Sequence, residues 1–235
     1  MLVCSFVLPM IDVLASGRRR ARMPRSLILE PTRELAAQVA ENFEKYGQNH
    51  DLKMALLIGG VQMGDQIKAL DEGVDVLIAT PGRLIDLYKQ AAVKFEQLEI
   101  LVLDEADRML DLGFVDDIRY IQSLLPATRQ NLMFSATFSP AITSLAKAML
   151  NNPKMIEVTS TNSIADTIQH KVYPVDKERK NELLIHLVKK HKWRQVLVFS
   201  RTKQGADNLV TKLAKAGIQA ASIHANRTQH ARTQV

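Results

Sequence analysis

The sequence predicts an α/β fold built on a doubly wound parallel sheet. Short aliphatic runs recur at residues 26–30, 54–58, 75–79, 100–103, 131–134 and 196–199. Runs of that length suit strands covered on both faces, as in parallel sheets. Helical patterns, such as residues 34–46 and 84–90, separate them. Strands alternating with helices build parallel βαβ units.

Residues 5–14 are apolar enough for a helix packed on the sheet. The first fourteen residues resemble a signal h-region, but they lack a basic leading stretch and carry Pro9 and Asp12. They therefore read as a buried helix. Residues 16–25 form a basic loop, whose Arg18, Arg19, Arg20, Arg22 and Arg25 read as solvated surface or as a nucleic-acid contact. Each strand then ends in small, hydroxylated or charged residues. Strand 26–30 runs into Pro31-Thr32-Arg33, strand 54–58 into Gly59-Gly60, and strand 75–79 into Thr80-Pro81-Gly82-Arg83. Strand 100–103 runs into Asp104-Glu105-Ala106-Asp107, strand 131–134 into Ser135-Ala136-Thr137, and strand 196–199 into Ser200-Arg201-Thr202. Thr80-Pro81 and Ser139-Pro140 have the form of an N-cap followed by proline at the first helical position. Met109, Met133, Met149 and Phe114 are expected in the core, with Trp193 packed beside a strand.

Residues 1–158 are expected to form one domain, and the polar stretch 159–167 a linker. Residues 168–235 begin a second domain, with helices at 178–191 and 205–216 and a short strand at 218–223.

Hydrophobic content of 46% and charged content of 24% are ordinary for a globular protein. A net charge of +6 favours an anionic partner, nucleic acid before an anionic membrane. The single cysteine, Cys4, excludes an internal disulfide and a zinc cluster of cysteines, and fits a reducing cytoplasm. No apolar run approaches the roughly 20 residues of a membrane span. The histidines show no metal-ligand spacing.

In a parallel sheet these strand-end turns share one edge, where open α/β sheets bind ligands. Acids at 104–107 could hold a hydrated magnesium ion and orient a water there, or form a solvated helix start. Arg33, Arg83 and Arg201 could fork onto phosphates or make surface ion pairs. Ser135 and Thr137 could also be plain capping or turn residues.

Six ordered motifs make the comparison specific. The chain resembles a DEAD-box RNA helicase of bacterial type: Asp104 to Asp107 spell the name-giving motif, and the PTRELA, GG, TPGR, SAT and 199–202 stretches stand in the family's order. Gln229-His-Ala-Arg232 resembles the QxxR element that follows. The resemblance implies two RecA-like domains, ATP and Mg2+ as cofactors, and local ATP-dependent opening of RNA duplexes. By the same resemblance Asp104 holds magnesium through water, Glu105 positions the attacking water, and Asp107 bonds with Ser135 and Thr137. Pro31, Thr32, Arg33, Gly59, Gly60, Thr80, Gly82 and Arg83 are the implied RNA-backbone contacts of the first domain. Ser200, Arg201, Thr202, Gln229 and Arg232 are those of the second. Implied partners are RNA and ribosome-assembly or RNA-decay complexes. The chain is expected to be a cytoplasmic monomer.

The sequence also departs from the pattern. No Gly-Lys pair occurs anywhere, so no phosphate-loop residue can be assigned, and Met1-Leu2-Val3 stands where Gly-Lys-Thr would be. The arginine-finger motifs, typically worth about 10³–10⁵ in rate, have no counterpart either. The expectation is a chain truncated at both ends, its first domain lacking the phosphate-loop strand and its second domain partial. Residues 100–103 are then expected to present an unpaired edge. Impaired ATP turnover follows, and a non-enzymatic RNA-binding module is the alternative. A metal-dependent hydrolase using Asp104, Glu105 and Asp107 is a third reading.

Overall fold

The computed structural model describes residues 2–17, 23–157, 168–228, 231, 232 and 234. It divides into two compact units, Met1–Thr161 and Asn162–Val235. The expected linker lies outside the described residues.

The first unit carries the sheet. Helix α1 (Leu2–Ser16) leads to β1 (Ser26–Leu29), α2 (Arg33–Gly47), β2 (Met54–Leu57) and α3 (Met63–Asp71). Then follow β3 (Val76–Ala79), α4 (Pro81–Lys89), β4 (Ile100–Leu103), α5 (Ala106–Asp111), α6 (Val115–Leu124), β5 (Gln130–Met133) and α7 (Pro140–Met149). All strand pairs are parallel, in the order β2-β3-β1-β4-β5.

Side chains alternate across this sheet and build two cores. Leu27, Leu29, Leu77, Leu101 and Leu103 face one way, packing with Leu84, Met109, Ile118, Ile142 and Met149. Ile28, Val76, Ile78, Ile100 and Val102 face the other way, against Phe6, Val7 and Met10 of α1 and Val39 and Phe43 of α2. Met133 and Phe114 are partly buried beside the first core. Strands β1, β3 and β4 are buried at every position, which is why their sequences run aliphatic without alternation.

The expected open edge at residues 100–103 does not occur, because β4 pairs on both sides, with β1 and with β5. Among the described residues, the outer strands of the sheet are β2 and β5. Half-exposed β5 is more polar than the inner strands, beginning Gln130-Asn131. Its Asn131 amide is held by the Met149 carbonyl at 2.8 Å.

Arg25, expected on the surface, is instead 2% exposed. Its guanidinium donates to the Leu14 carbonyl at 2.8 Å and to Glu99 at 3.2 Å. The Arg25 carbonyl accepts from Glu99 and Ile100 at 2.7 and 3.1 Å. One residue thus ties the end of α1 to the starts of β1 and β4. Gly17 lies against the same guanidinium, where any Cβ would collide. Arg18, Arg19, Arg20 and Arg22 lie outside the described residues.

The second unit contains a short 3-10 turn (Lys177–Arg179), α8 (Lys180–His191) and α9 (Lys203–Lys215). Residues 196–199 and 218–223, read as strands from sequence, pair with no sheet here. Leu197 is 78% and Phe199 90% exposed. A strand needs partners for its backbone groups, and no ladder forms among the described residues of this unit. Trp193, expected in packing, is 44% exposed and stacks on His191 at 5.3 Å. Asp207 of α9 anchors the segment 222–227, accepting from Ser222 at 2.6 Å, His224 at 3.0 Å and Arg227 at 2.8 Å.

Candidate ATP and RNA site

The parallel register aligns the carboxyl ends of all five strands: Leu57 with Ala79, Ala79 with Leu29, Leu29 with Leu103, and Leu103 with Met133. The turns that follow therefore line one edge. They carry residues 30–33, 58–60, 80–83, 104–107 and 134–137.

At its centre is Asp104, one residue past β4 and 6% exposed. Its backbone N–H continues the ladder to the Leu29 carbonyl at 3.2 Å. Burial holds its carboxyl above the usual range; the Glu105 N–H, donating at 2.9 Å, opposes that shift, and the charges of Glu105 and Asp107 reinforce it. Glu105 caps α5 in the left-handed region, at φ +45. A non-glycine residue there carries backbone strain, which collects at functional sites. Asp107 accepts a hydrogen bond from the Thr137 hydroxyl at 3.0 Å. The Ser135 hydroxyl, expected on Asp107 as well, instead donates to the Thr137 carbonyl at 2.8 Å. That bond orders the turn which presents Thr137.

The flanking turns are organised around arginines. Thr32 caps α2, its hydroxyl accepting from the Leu35 N–H at 3.3 Å, behind buried Pro31. The Arg33 guanidinium then lies across Gly59 and Gly60. A Cβ on Gly59 would stand 3.1 Å from it, and one on Gly60 would collide outright. Gly60 also sits at φ +77. Gln66 supports this loop from below, donating to the Ile58 carbonyl at 3.1 Å. Arg83 reaches the same loop at the Val61 carbonyl, 3.3 Å away. Thr80 caps α4 without a side-chain bond, and Gly82 faces open space. The first turn of α4 thus offers backbone N–H groups and a hydroxyl to a phosphate.

In the second unit Ser200 donates to the Thr202 carbonyl at 3.1 Å, as Ser135 does to that of Thr137. Thr202 caps α9 through the Gly205 N–H at 3.0 Å. Arg201 is exposed and Arg232 half-buried. Gln229 lies outside the described residues.

Among the described residues, no three acids, histidines or cysteines converge on one point. Asp104 fits a magnesium ion held largely through water: one nearly buried carboxylate at a strand end. No helix among the described residues is long and apolar enough to cross a membrane.

Sequence reasoning missed Glu30. This residue is 0% exposed, and neither side-chain oxygen has a hydrogen-bond partner among the described residues. Burial, then the charges of Asp104 and Glu105, push its carboxyl up to about 9. An acid closing an otherwise aliphatic run was the available signal.

A parallel sheet whose inner strand β4 ends in acids, beside turns that carry arginines and helix N-termini, is an α/β protein with an edge suited to phosphate. Comparison with known proteins makes this specific. The family profile described as DEAD/DEAH box helicase matches residues 4–145, and that of the helicase conserved C-terminal domain matches residues 179–235. An ATP-dependent RNA helicase RhlB of Pseudomonas putida is 39% identical over 212 residues, covering 89% of this chain and 53% of the relative. The RhlB of Pseudomonas syringae pv. tomato is 35% identical over 235 residues, covering 97% and 59%. The DEAD-box ATP-dependent RNA helicase 52A of Oryza sativa subsp. japonica is 40% identical over 231 residues, covering 93% and 38%. The chain belongs to the DEAD/DEAH box helicase family. It spans about half the length of the RhlB relatives from Pseudomonas.

Proposed function

We propose that this chain carries the acid-and-arginine edge of an ATP-dependent RNA helicase that opens short RNA duplexes locally. The observation that carries the reading is the Thr137–Asp107 hydrogen bond, beside Asp104 and Glu105 at the end of β4. It joins the acids to the neighbouring strand-end turn, so a change at one is felt at the other.

Asp104 is the magnesium-facing carboxylate, through water. A magnesium ion there would neutralise charge building on transferring phosphates. Glu105, in its strained left-handed backbone, orients the attacking water and accepts its proton. Asp107 and Thr137, with Ser135 bracing the turn, couple that chemistry to RNA contact. Pro31, Thr32, Arg33, Gly59, Gly60, Thr80, Gly82 and Arg83 bear the RNA backbone on the first unit. Ser200, Arg201, Thr202, Gln229 and Arg232 do so on the second. Such contacts are sequence-independent and weaken with salt. We place the protein in the cytoplasm, as a monomer working within ribosome-assembly or RNA-decay complexes.

The chain of 235 residues contains no Gly-Lys pair, and phosphoryl transfer of this class needs one to cradle the β- and γ-phosphates. By itself, therefore, this chain binds RNA without responding to ATP and releases phosphate at the background rate. That same feature favours the second reading, a non-enzymatic RNA-binding module. Phosphate release from ATP, with and without single-stranded RNA, tests the background-rate inference. Stimulation by RNA would show that these residues turn over nucleotide unaided and would overturn the background-rate inference.

A further inference from the structure

Glu30 is the one buried acid of the site edge that the proposed chemistry leaves unused. It follows Leu29 directly as Asp104 follows Leu103, and Leu29 and Leu103 are paired neighbours of β1 and β4. The ladder continues past both strand ends. Glu30 N–H donates to the Ala79 carbonyl at 2.9 Å, and Asp104 N–H to the Leu29 carbonyl at 3.2 Å. The two-residue period of the strands therefore puts Glu30 and Asp104 on one face, that of Ile28 and Val102.

Burying a carboxyl with nothing bonded to it is costly, and native interiors rarely tolerate it. Both Glu30 side-chain oxygens are buried and unpartnered. Among the described residues, no arginine or lysine is paired with Glu30. A core position between Ile28 and Pro31 would be better served by leucine, so the acid needs a reason to be there. A hydrated divalent cation supplies one, because its waters are donors with no acceptors to spare. We propose that Glu30 is a positioning residue of the cation site, accepting a hydrogen bond from a water carried by a divalent cation at Asp104. The raised proton affinity of Glu30 agrees with a carboxyl that, without that cation, has only like charges for neighbours.

The inference rests on the cation reading of Asp104, and the test separates the two. Mn2+ serves as the probe, with its free fraction counted by electron paramagnetic resonance on the full chain. Glu30→Leu and the near-isosteric Glu30→Gln are each expected to bind Mn2+ at least fivefold more weakly than the parent. Without metal, Glu30→Leu melts at the same temperature as the parent or higher, because it removes an unpaired buried carboxyl. A merely structural role would move the melting temperature and leave Mn2+ affinity alone. Parent-like affinity in both Glu30 variants, alongside weakened binding in Asp104→Asn, would overturn the role of Glu30 only. Parent-like affinity in Asp104→Asn would overturn the cation site itself. If Glu30→Leu fails to fold, Glu30→Gln decides the matter.

Discussion

Gly60 and Gly82 stand on the same edge and do opposite things. Gly60 is required by its own chain: its φ is +77 and the Arg33 guanidinium occupies the space a Cβ would take. Gly60→Ala should cost about 1–3 kcal/mol in urea unfolding, from backbone strain and displaced arginine. Gly82 has nothing within 4 Å of an added Cβ. Gly82→Ala should leave stability within about 0.5 kcal/mol of the parent. If the open space there admits an RNA backbone, the same change weakens RNA binding measured by filter retention. Unchanged RNA affinity would remove Gly82 from the interface. Glu105 offers a third contrast at this scale. Its left-handed backbone is strained, so Glu105→Gly should gain about 1 kcal/mol in the same unfolding assay. A loss of stability would mean that the Glu105 side chain supports the fold, not the chemistry.

Among the elements, the sheet and its clamp govern stability. Arg25 joins α1, β1 and β4 through buried bonds to Leu14 and Glu99. Arg25→Met leaves the Leu14 carbonyl without that donor, and thermal unfolding should show a loss of about 1–3 kcal/mol. In the second unit, Asp207 holds the segment 222–227 to α9. Its bonds to Ser222 and His224, with Arg227 beside them, pull its carboxyl down to about 2. The folded value lies below the ordinary 3.8, so the stabilisation is complete above about 3.8 and is lost as pH falls towards 2. Asp207→Asn should therefore flatten the acid limb of the stability profile between those values, read by far-UV circular dichroism. Identical acid limbs for parent and variant would show that the network does not carry the charge.

Strand positions in the first unit were legible because inner parallel strands must be aliphatic on both faces; residues 76–79 and 100–103 carry nothing else. The strand-end residues were legible too, since parallel topology forces all the turns onto one edge. Three features were not. Arg25 looked like one member of a basic loop, and only tertiary contact with Glu99 and Leu14 reveals a buried clamp. Glu30 looked like a strand terminus, while its isolation depends on what surrounds it in space. Residues 196–199 have strand composition, yet a strand is a pairing, and composition says nothing about whether a partner is in place.

For the whole molecule, one surface decides how it meets its partner. The edge that holds Asp104 to Asp107 also carries Arg33 and Arg83, and a net charge of +6 favours an anionic partner. Neutralising phosphates releases counterions, so affinity for a single strand falls with salt at a slope of about −0.7 per phosphate contact. The most direct test is the affinity of the chain for single-stranded RNA across a salt series, for the parent and for the double variant Arg33→Gln, Arg83→Gln. Two lost contacts should make the slope shallower by about 1.4 and weaken binding equally for unrelated RNA sequences. A double variant with the parent's slope and affinity would contradict the claim that this edge meets the RNA backbone.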